Sequence, residues 1–306
     1  MAGNNDLRAA LTGISGILVT PYDSDGTVAP TRLRPIVDRC VEAGVHALVT
    51  NGNTGEFYCL TYDEAERMIR GSAEIIDGRM PLIAGVGRSG KEAAALARAS
   101  KIAGADAIMI QSPPDPFVSP RGVLAYVTEV AEAADGLPLL LYNRNDALDV
   151  ETIAALCGVE GVIGVKWATP NVLKLAACIE QVGDRVAWIG GLAEVWAPPL
   201  CAVGARGFTS GLINVWPEHS VAIHNALEQG DYNAAAKMIA LMRPFEEVRA
   251  EEGNGANVSG VKAALALLGH DCGPARPPAA WPLSEAQHNR LSAFVANAAI
   301  PTYQHQ

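Results

Sequence analysis

Pro138-Leu139-Leu140-Leu141-Tyr142-Asn143 and Val162-Ile163-Gly164-Val165-Lys166-Trp167 are the stretches on which the fold turns. Each is a short continuous apolar run that stops at a chemically active side chain. Unbroken apolar runs of this length, with no polar alternation, read as strands covered on both faces, the kind found in parallel sheets backed by helices. An amine held at the mouth of such a strand can attack a ketone. A phenol on the neighbouring strand can move the protons that the attack requires.

Working outward, similar runs recur at regular intervals: Ile14–Thr20, Ala47–Thr50, Pro81–Val86, Ala107–Gln111, Pro138–Tyr142, Val162–Lys166, Val186–Ile189 and Gly207–Ser210. Between them lie stretches with helical periodicity, among them Lys91–Ala103, Pro120–Ala134, Val150–Cys157 and Asn171–Val182. Alternating strands and helices imply parallel strands with crossovers, and this repeat matches a (β/α)8 TIM barrel. After the last run the pattern changes. Pro217–Ile223, Asp231–Arg249, Gly260–Leu268 and Ser284–Ala299 read as helices, with Asp231 suited to cap the second. Gly273-Pro274-Ala275-Arg276-Pro277-Pro278 reads as a rigid connector. The expectation is an α/β chain with a barrel over residues 1–215. A C-terminal helical appendage over 216–306 packs on it as one structural unit.

Length alone, 306 residues, allows one large α/β domain or two smaller ones. The apolar fraction of 49% and charged fraction of 18% are those of a globular chain. The formal net charge of −10, without a block of lysines and arginines, leaves nucleic acid no electrostatic footprint. No apolar stretch approaches a membrane span, and Met1-Ala2-Gly3-Asn4-Asn5-Asp6 lacks a signal layout, so a cytoplasmic protein without a membrane partner is expected. The 6 cysteines are scattered without a C-x-x-C pair and read as reduced buried thiols. The histidines are scattered too, with His219 and His224 off a common helical face, so no metal site is expected.

Thr50-Asn51-Gly52-Asn53-Thr54-Gly55-Glu56 follows the second run. It reads either as an anion-binding turn at the catalytic face or as an ordinary βα turn with Thr54 capping a helix. Lysines near strand ends are usually solvated, but here the apolar neighbours and Trp167 are expected to desolvate the Lys166 amine and lower its pKa. Tyr142 is either a core tyrosine or a proton carrier, and Arg144 in the next loop can clamp a carboxylate. Gly85-Val86-Gly87-Arg88-Ser89-Gly90 has the outline of a dinucleotide fingerprint, but lies in the third unit without the acidic residue such a site needs. Its glycines read as shaping a barrel loop. Asp23-Ser24-Asp25-Gly26 reads as a turn, lacking the remaining ligands of a calcium loop.

With these residues in place, the chain resembles the dihydrodipicolinate synthase / N-acetylneuraminate lyase family of class I Schiff-base lyases. The resemblance runs through Thr20-Pro21, Gly52-Asn53-Thr54-Gly55-Glu56 with Leu60-Thr61, Ala84-Gly85-Val86-Gly87, Tyr142-Asn143, Gly164-Val165-Lys166, Gly190-Gly191, Val261-Lys262-Ala263-Ala264 and Arg276-Pro277-Pro278. It implies a TIM barrel and a homotetramer built from dimers. It implies Lys166 as the Schiff-base lysine, Tyr142 as the proton-transfer tyrosine, and an Asn53-Thr54 turn that holds the carboxylate of a 2-oxo acid. No separate cofactor is implied; the chemistry runs through a covalent imine with Lys166.

Within the family, Tyr142-Asn143-Arg144-Asn145-Asp146, Gly190-Gly191-Leu192 with Glu194-Val195, and Thr209-Ser210-Gly211 with Asn214 are similar to the 5-dehydro-4-deoxyglucarate dehydratase branch. The synthase branch has tyrosines where Ser112-Pro113-Pro114-Asp115-Pro116-Phe117 has none, and an arginine where Ala147 stands. Trp167, Asn53 and a shorter loop after Gly191 depart from the dehydratase pattern as well, and each is expected to face the pocket. The reaction expected is dehydration with decarboxylation of 5-dehydro-4-deoxyglucarate to 2,5-dioxopentanoate. Arg144 would hold the far carboxylate, and Ser210 and Asn214 the sugar hydroxyls. A pyruvate-releasing 2-oxo-3-deoxy acid aldolase, a 2-oxo-3-deoxypentonate dehydratase, a dihydrodipicolinate synthase-like enzyme and a non-catalytic 2-oxo acid sensor stand as alternatives.

Overall fold

A computed structural model of the chain describes residues 4–144 and 146–303. Its strands are β1 (Ile14–Ile17), β2 (Ala47–Thr50), β3 (Leu82–Val86), β4 (Ala107–Ile110), β5 (Leu139–Asn143), β6 (Val162–Trp167), β7 (Ala187–Gly190) and β8 (Gly207–Ser210). They close a barrel in chain order, each parallel to its neighbours, with β8 pairing back to β1. Helix α1 (Asn4–Leu11) precedes the barrel. The crossovers are α2 (Arg34–Ala43), α3 (Tyr62–Ile76), α4 (Gly90–Ala103), α5 (Pro120–Ala134), α6 (Val150–Cys157), α7 (Val172–Val182) and α8 (Ala193–Ala202). Then follow α9 (Pro217–Glu228), α10 (Tyr232–Asn254), α11 (Asn257–Leu267) and α12 (Glu285–Asn297).

Local chemistry sets many of the helix starts. Thr61 with Glu64, Ser89 with Glu92 and Ser284 with Gln287 form reciprocal capping boxes at α3, α4 and α12. Asp231 caps α10 as expected, accepting from the Ala234 amide at 2.8 Å. That helix leaves helical geometry at Glu251–Gly253, close to the end expected at Arg249. The first strand is shorter than its apolar run. Leu18 still donates to the Val49 carbonyl, but the Val19 amide turns to the Asn214 side chain at 3.1 Å, which ends the ladder.

Two cores result from the alternation of strand side chains. Ile17, Val49, Ile83, Met109, Leu140, Tyr142 and Ile189 fill the barrel interior, and Leu7 and Leu11 of α1 join the same cluster. Leu48, Leu141, Val165, Trp167 and Phe208 point outward into the layer under the helices. β5 and β6 lose register between Leu139 and Leu140, and above that irregularity Tyr142 stands beside Lys166. Gly85 lies inside β3 and not in a loop as expected; a Cβ there would meet the Asn51 carbonyl oxygen at 2.1 Å. Asp23–Gly26 forms a turn, with the Gly26 amide on the Asp23 carbonyl. Among the described residues no helix is long and apolar enough to cross a membrane.

Candidate active site

Lys166 and Tyr142 are register neighbours at the C-terminal ends of β6 and β5, both directed into the barrel. The Lys166 side chain is buried, with Nζ 4.3 Å from the centroid of the Tyr142 ring. Burial is the main cause that lowers its pKa to about 7, and the positive charges of Arg144 and Arg249 add to it. Near neutral pH much of the amine is therefore unprotonated and nucleophilic. Burial also pushes the Tyr142 phenol up to about 12, with Arg144 opposing, so the hydroxyl stays protonated and can donate. Asn53 Nδ2 donates to Tyr142 Oη at 2.9 Å, while Asn53 Oδ1 has no partner among the described residues.

The turn that carries Asn53 is held by charge and by strained backbone. Asn51 and Glu56 both take left-handed φ values of 56°. The Glu56 carboxylate faces inward, and Lys262 Nζ of α11 lies 2.6 Å from its Oε1, with side-chain exposures of 0% and 2%. Burial lowers the Lys262 pKa, and both the charge of Glu56 and its hydrogen bonding oppose that shift. Glu56 Oε2 accepts from Tyr22 Oη at 3.2 Å and from the Arg276 amide at 2.9 Å. Arg276 in turn grips Glu64 through two guanidinium nitrogens. Thr20 Oγ1 donates to the Gly55 carbonyl at 2.6 Å, and Arg249 Nη2 reaches Thr54 Oγ1 at 3.5 Å. Thr54 is thus buried against Arg249 and caps no helix; Thr61 does that for α3.

Four residues that bear on the site carried no assigned role at the level of sequence: Glu56, Lys262, Arg249 and Glu194. A signal for the first pair existed. Lys262 is the lone charge in the apolar helix Asn257–Leu267, and such a charge needs a buried partner.

Arg144 sits at the exposed rim beyond β5, its Cζ 6.0 Å from the Tyr142 ring centroid, and it joins Lys166, Tyr142, Asn53 and Thr54 at one end of the barrel. Asn145, part of the same expected signature, lies outside the described residues. Three expectations need correction. Ser210 is fully buried: its hydroxyl donates to Glu194 Oε1 at 2.5 Å, contacts Ser220 Oγ at 3.1 Å and accepts from the Ile213 amide. Asn214 spends its amide on the chain itself, accepting from Val19 N and donating to the Ile17 and Gly211 carbonyls. Both residues brace the β8 loop, and neither presents a free group to a sugar hydroxyl. Trp167 faces the helix layer and not the pocket, because adjacent strand residues point to opposite faces. The apolar surroundings of Lys166 come from interior residues such as Ile189, its register neighbour on β7.

Glu194, at the start of α8, is fully buried. Burial, with Glu246 nearby, pushes its carboxyl up, and Ser210 and Ser220 both donate to it. Among the described residues no group of three or more His, Cys, Asp or Glu side chains is placed to hold a metal ion.

The family model described as the dihydrodipicolinate synthetase family matches residues 10–298. A probable 5-dehydro-4-deoxyglucarate dehydratase of Methylobacterium radiotolerans is 31% identical over 295 residues, 95% of this chain and 96% of that one. A 4-hydroxy-tetrahydrodipicolinate synthase of Methanoculleus marisnigri is 30% identical over 292 residues, covering 93% and 98%. Among solved structures, dihydrodipicolinate synthase from Bacillus clausii superposes with a TM-score of 0.92 at 35% identity, covering 96% of this chain and 100% of that one.

Proposed function

The chain belongs to the dihydrodipicolinate synthetase family and is a lyase of the Schiff-base class, and from that premise we propose that it converts 5-dehydro-4-deoxyglucarate to 2,5-dioxopentanoate, carbon dioxide and water. The observation that carries the chemistry is the buried Lys166 amine against the Tyr142 ring, with Arg144 at the rim. The dehydratase-like relatives support the choice of substrate.

The substrate's 2-oxo acid end enters first, its carboxylate meeting the backbone of the Asn53-Thr54 turn. The Lys166 amine adds to the ketone, and Tyr142 delivers a proton to the departing oxygen, which leaves as water and forms the iminium. The iminium acidifies the adjacent methylene. Loss of that proton gives an enamine, whose electron pair expels the β-hydroxyl as a second water and leaves an unsaturated iminium. The far carboxylate, held by Arg144, then leaves as carbon dioxide. Its bonding electrons run through the conjugated system to the nitrogen. Two protons return to carbon as the dienamine-enol relaxes to an aldehyde. Hydrolysis of the imine consumes one water and frees Lys166. The net change is loss of one water and one carbon dioxide.

A proton NMR time course with 5-dehydro-4-deoxyglucarate tests this reading, with pyruvate followed in the same tube. Appearance of 2,5-dioxopentanoate without pyruvate is expected. Pyruvate with an aldehyde would make the protein an aldolase that uses the same imine. The proposal includes a cytoplasmic homotetramer, which light scattering on the purified protein tests.

A further inference from the structure

A cavity of about 480 Å³ runs behind β5, between the strands and helices α5 and α6, and reaches Tyr142 and Arg144 at one end. Leu141 and Val165 of the outer core layer form its floor, and Val123, Val127, Ile153 and Leu156 of α5 and α6 form its walls. Its size is that of a small-molecule site. Lys166, Asn53 and Thr54 do not line it, whereas Tyr142 and Arg144 do, with Tyr58, Gln111, Ser112 and Asp115 beside them at its polar end.

What separates it from a packing gap is Asn143. This residue follows Tyr142, so its side chain turns to the outer face and lines the cavity. It is 8% exposed, yet neither Nδ2 nor Oδ1 has a partner among the described residues. The Tyr126 hydroxyl of α5 lines the same cavity and is also buried without a partner. Buried amides are almost always satisfied, and each orphan group costs free energy on the order of 1–3 kcal/mol. The Asn143 amide offers a donor and an acceptor side by side. A ligand that satisfies both must present an acceptor and a donor in the same order.

We infer that the cavity behind β5 binds a small molecule with an apolar body and an amide head, the head pairing edge to edge with the Asn143 side chain. A primary amide and a cyclic lactam share that edge. A carboxylate lacks the donor for Oδ1, and an ester or tertiary amide lacks it too. The Tyr126 hydroxyl can add a third hydrogen bond to the head. The walls from α5 and α6 are apolar and suit the ligand's body, while Arg144 and Tyr142 stand at the end shared with the catalytic site.

The test uses benzamide and 2-pyrrolidone as probes on the full-chain protein, with ligand-observed NMR titration. N,N-dimethylbenzamide has the same aromatic body without the donor, and benzoate has it without the neutral head. Benzamide is expected to bind at least tenfold more tightly than the dimethyl analogue, while benzoate reports on attraction to Arg144 at the rim. The Asn143→Leu variant is expected to erase that difference, and Leu156→Trp to abolish binding by filling the space. Binding must persist in Lys166→Ala, because no imine is involved; its loss there would put the probe in the catalytic pocket and overturn the inference. Equal affinity for benzamide and its dimethyl analogue would overturn it without recourse to any variant. So would absence of binding in an oligomer that covers the cavity with a second copy of the chain. Asn143 and Leu156 have no part in the reaction proposed for Lys166, so this inference and that reaction can fail separately.

Discussion

Replacing Lys262 by methionine should destabilise the protein by about 3–5 kcal/mol, the usual cost of removing one partner from a buried ion pair. Methionine keeps an unbranched apolar stem and removes the charge. The 2.6 Å contact with Glu56 is shielded from water on both sides, so a lone carboxylate is left in the interior. Tyr22 and the Arg276 amide still donate to Glu56 Oε2, which keeps the loss from exceeding that range. The ammonium also sits 4.1 Å from the Tyr22 ring centroid and donates to the Pro274 carbonyl at 2.9 Å, and both contacts go with it. Urea unfolding of wild type and variant gives the difference from the shift in midpoint at constant slope. The double variant Glu56→Gln/Lys262→Met removes the stranded charge and should recover at least about half of the loss, if the cost is electrostatic. The turn from Gly52 to Glu56 carries Asn53, so turnover should fall together with stability in the single variant. A loss below about 1 kcal/mol, the range of an exposed pair, would refute the argument that this contact holds the turn.

The other predictions concern the site itself. Imine formation, trapped by borohydride with a 2-oxo acid, should rise with pH to a plateau about a midpoint near 7, because the protonated amine cannot attack. The same lowered pKa means that the unfolded chain holds a proton on Lys166 between about pH 7 and 10.5 that the folded chain does not, so this group's contribution to stability grows as pH rises through that window. Lys166→Met should therefore be inactive yet more stable at pH 7, by about 2–4 kcal/mol in calorimetry. Tyr142→Phe should slow imine formation by about 10²–10⁴ with the fold intact by circular dichroism; a loss under tenfold would remove it as proton carrier. Arg144→Ala should raise KM for a dicarboxylate by about 10–100-fold, leave a monocarboxylate 2-oxo acid nearly unaffected, and move the Lys166 midpoint upward. Ser210→Ala should leave KM unchanged while costing about 1–3 kcal/mol in urea unfolding, since Glu194 loses a donor; a KM effect without a stability effect would put the Ser210 hydroxyl on the substrate.

Strand positions, the Asp231 cap and the placing of Tyr142 and Lys166 at the ends of β5 and β6 were legible in the chain because each rests on neighbours within a few residues. Apolar runs mark strands whatever they pair with, and Asp231 caps α10 through an amide three residues away. Lys166 and Tyr142 were legible as a pair because consecutive strands of a parallel barrel are neighbours. The facing of Trp167 was legible in principle, since a strand cannot send two successive side chains into one pocket, and the expectation that it lined the pocket ignored that period.

Tertiary structure alone decided the rest. Ser210 and Asn214 are hydrogen-bonding residues at a strand end, the proper type and place for substrate contacts. Only closure of β8 onto β1 and the arrival of Glu194 and Ser220 consume their polar groups. Asn53 reaches Tyr142 across the barrel mouth, and Glu56 meets Lys262 from a helix near the other end of the chain. Sequence sets which groups exist and which face of a local element they occupy. Which distant group satisfies each buried charge or amide is a matter of three-dimensional proximity, and in this protein that pairing separates the residues left free for substrate from those that hold the barrel mouth in shape.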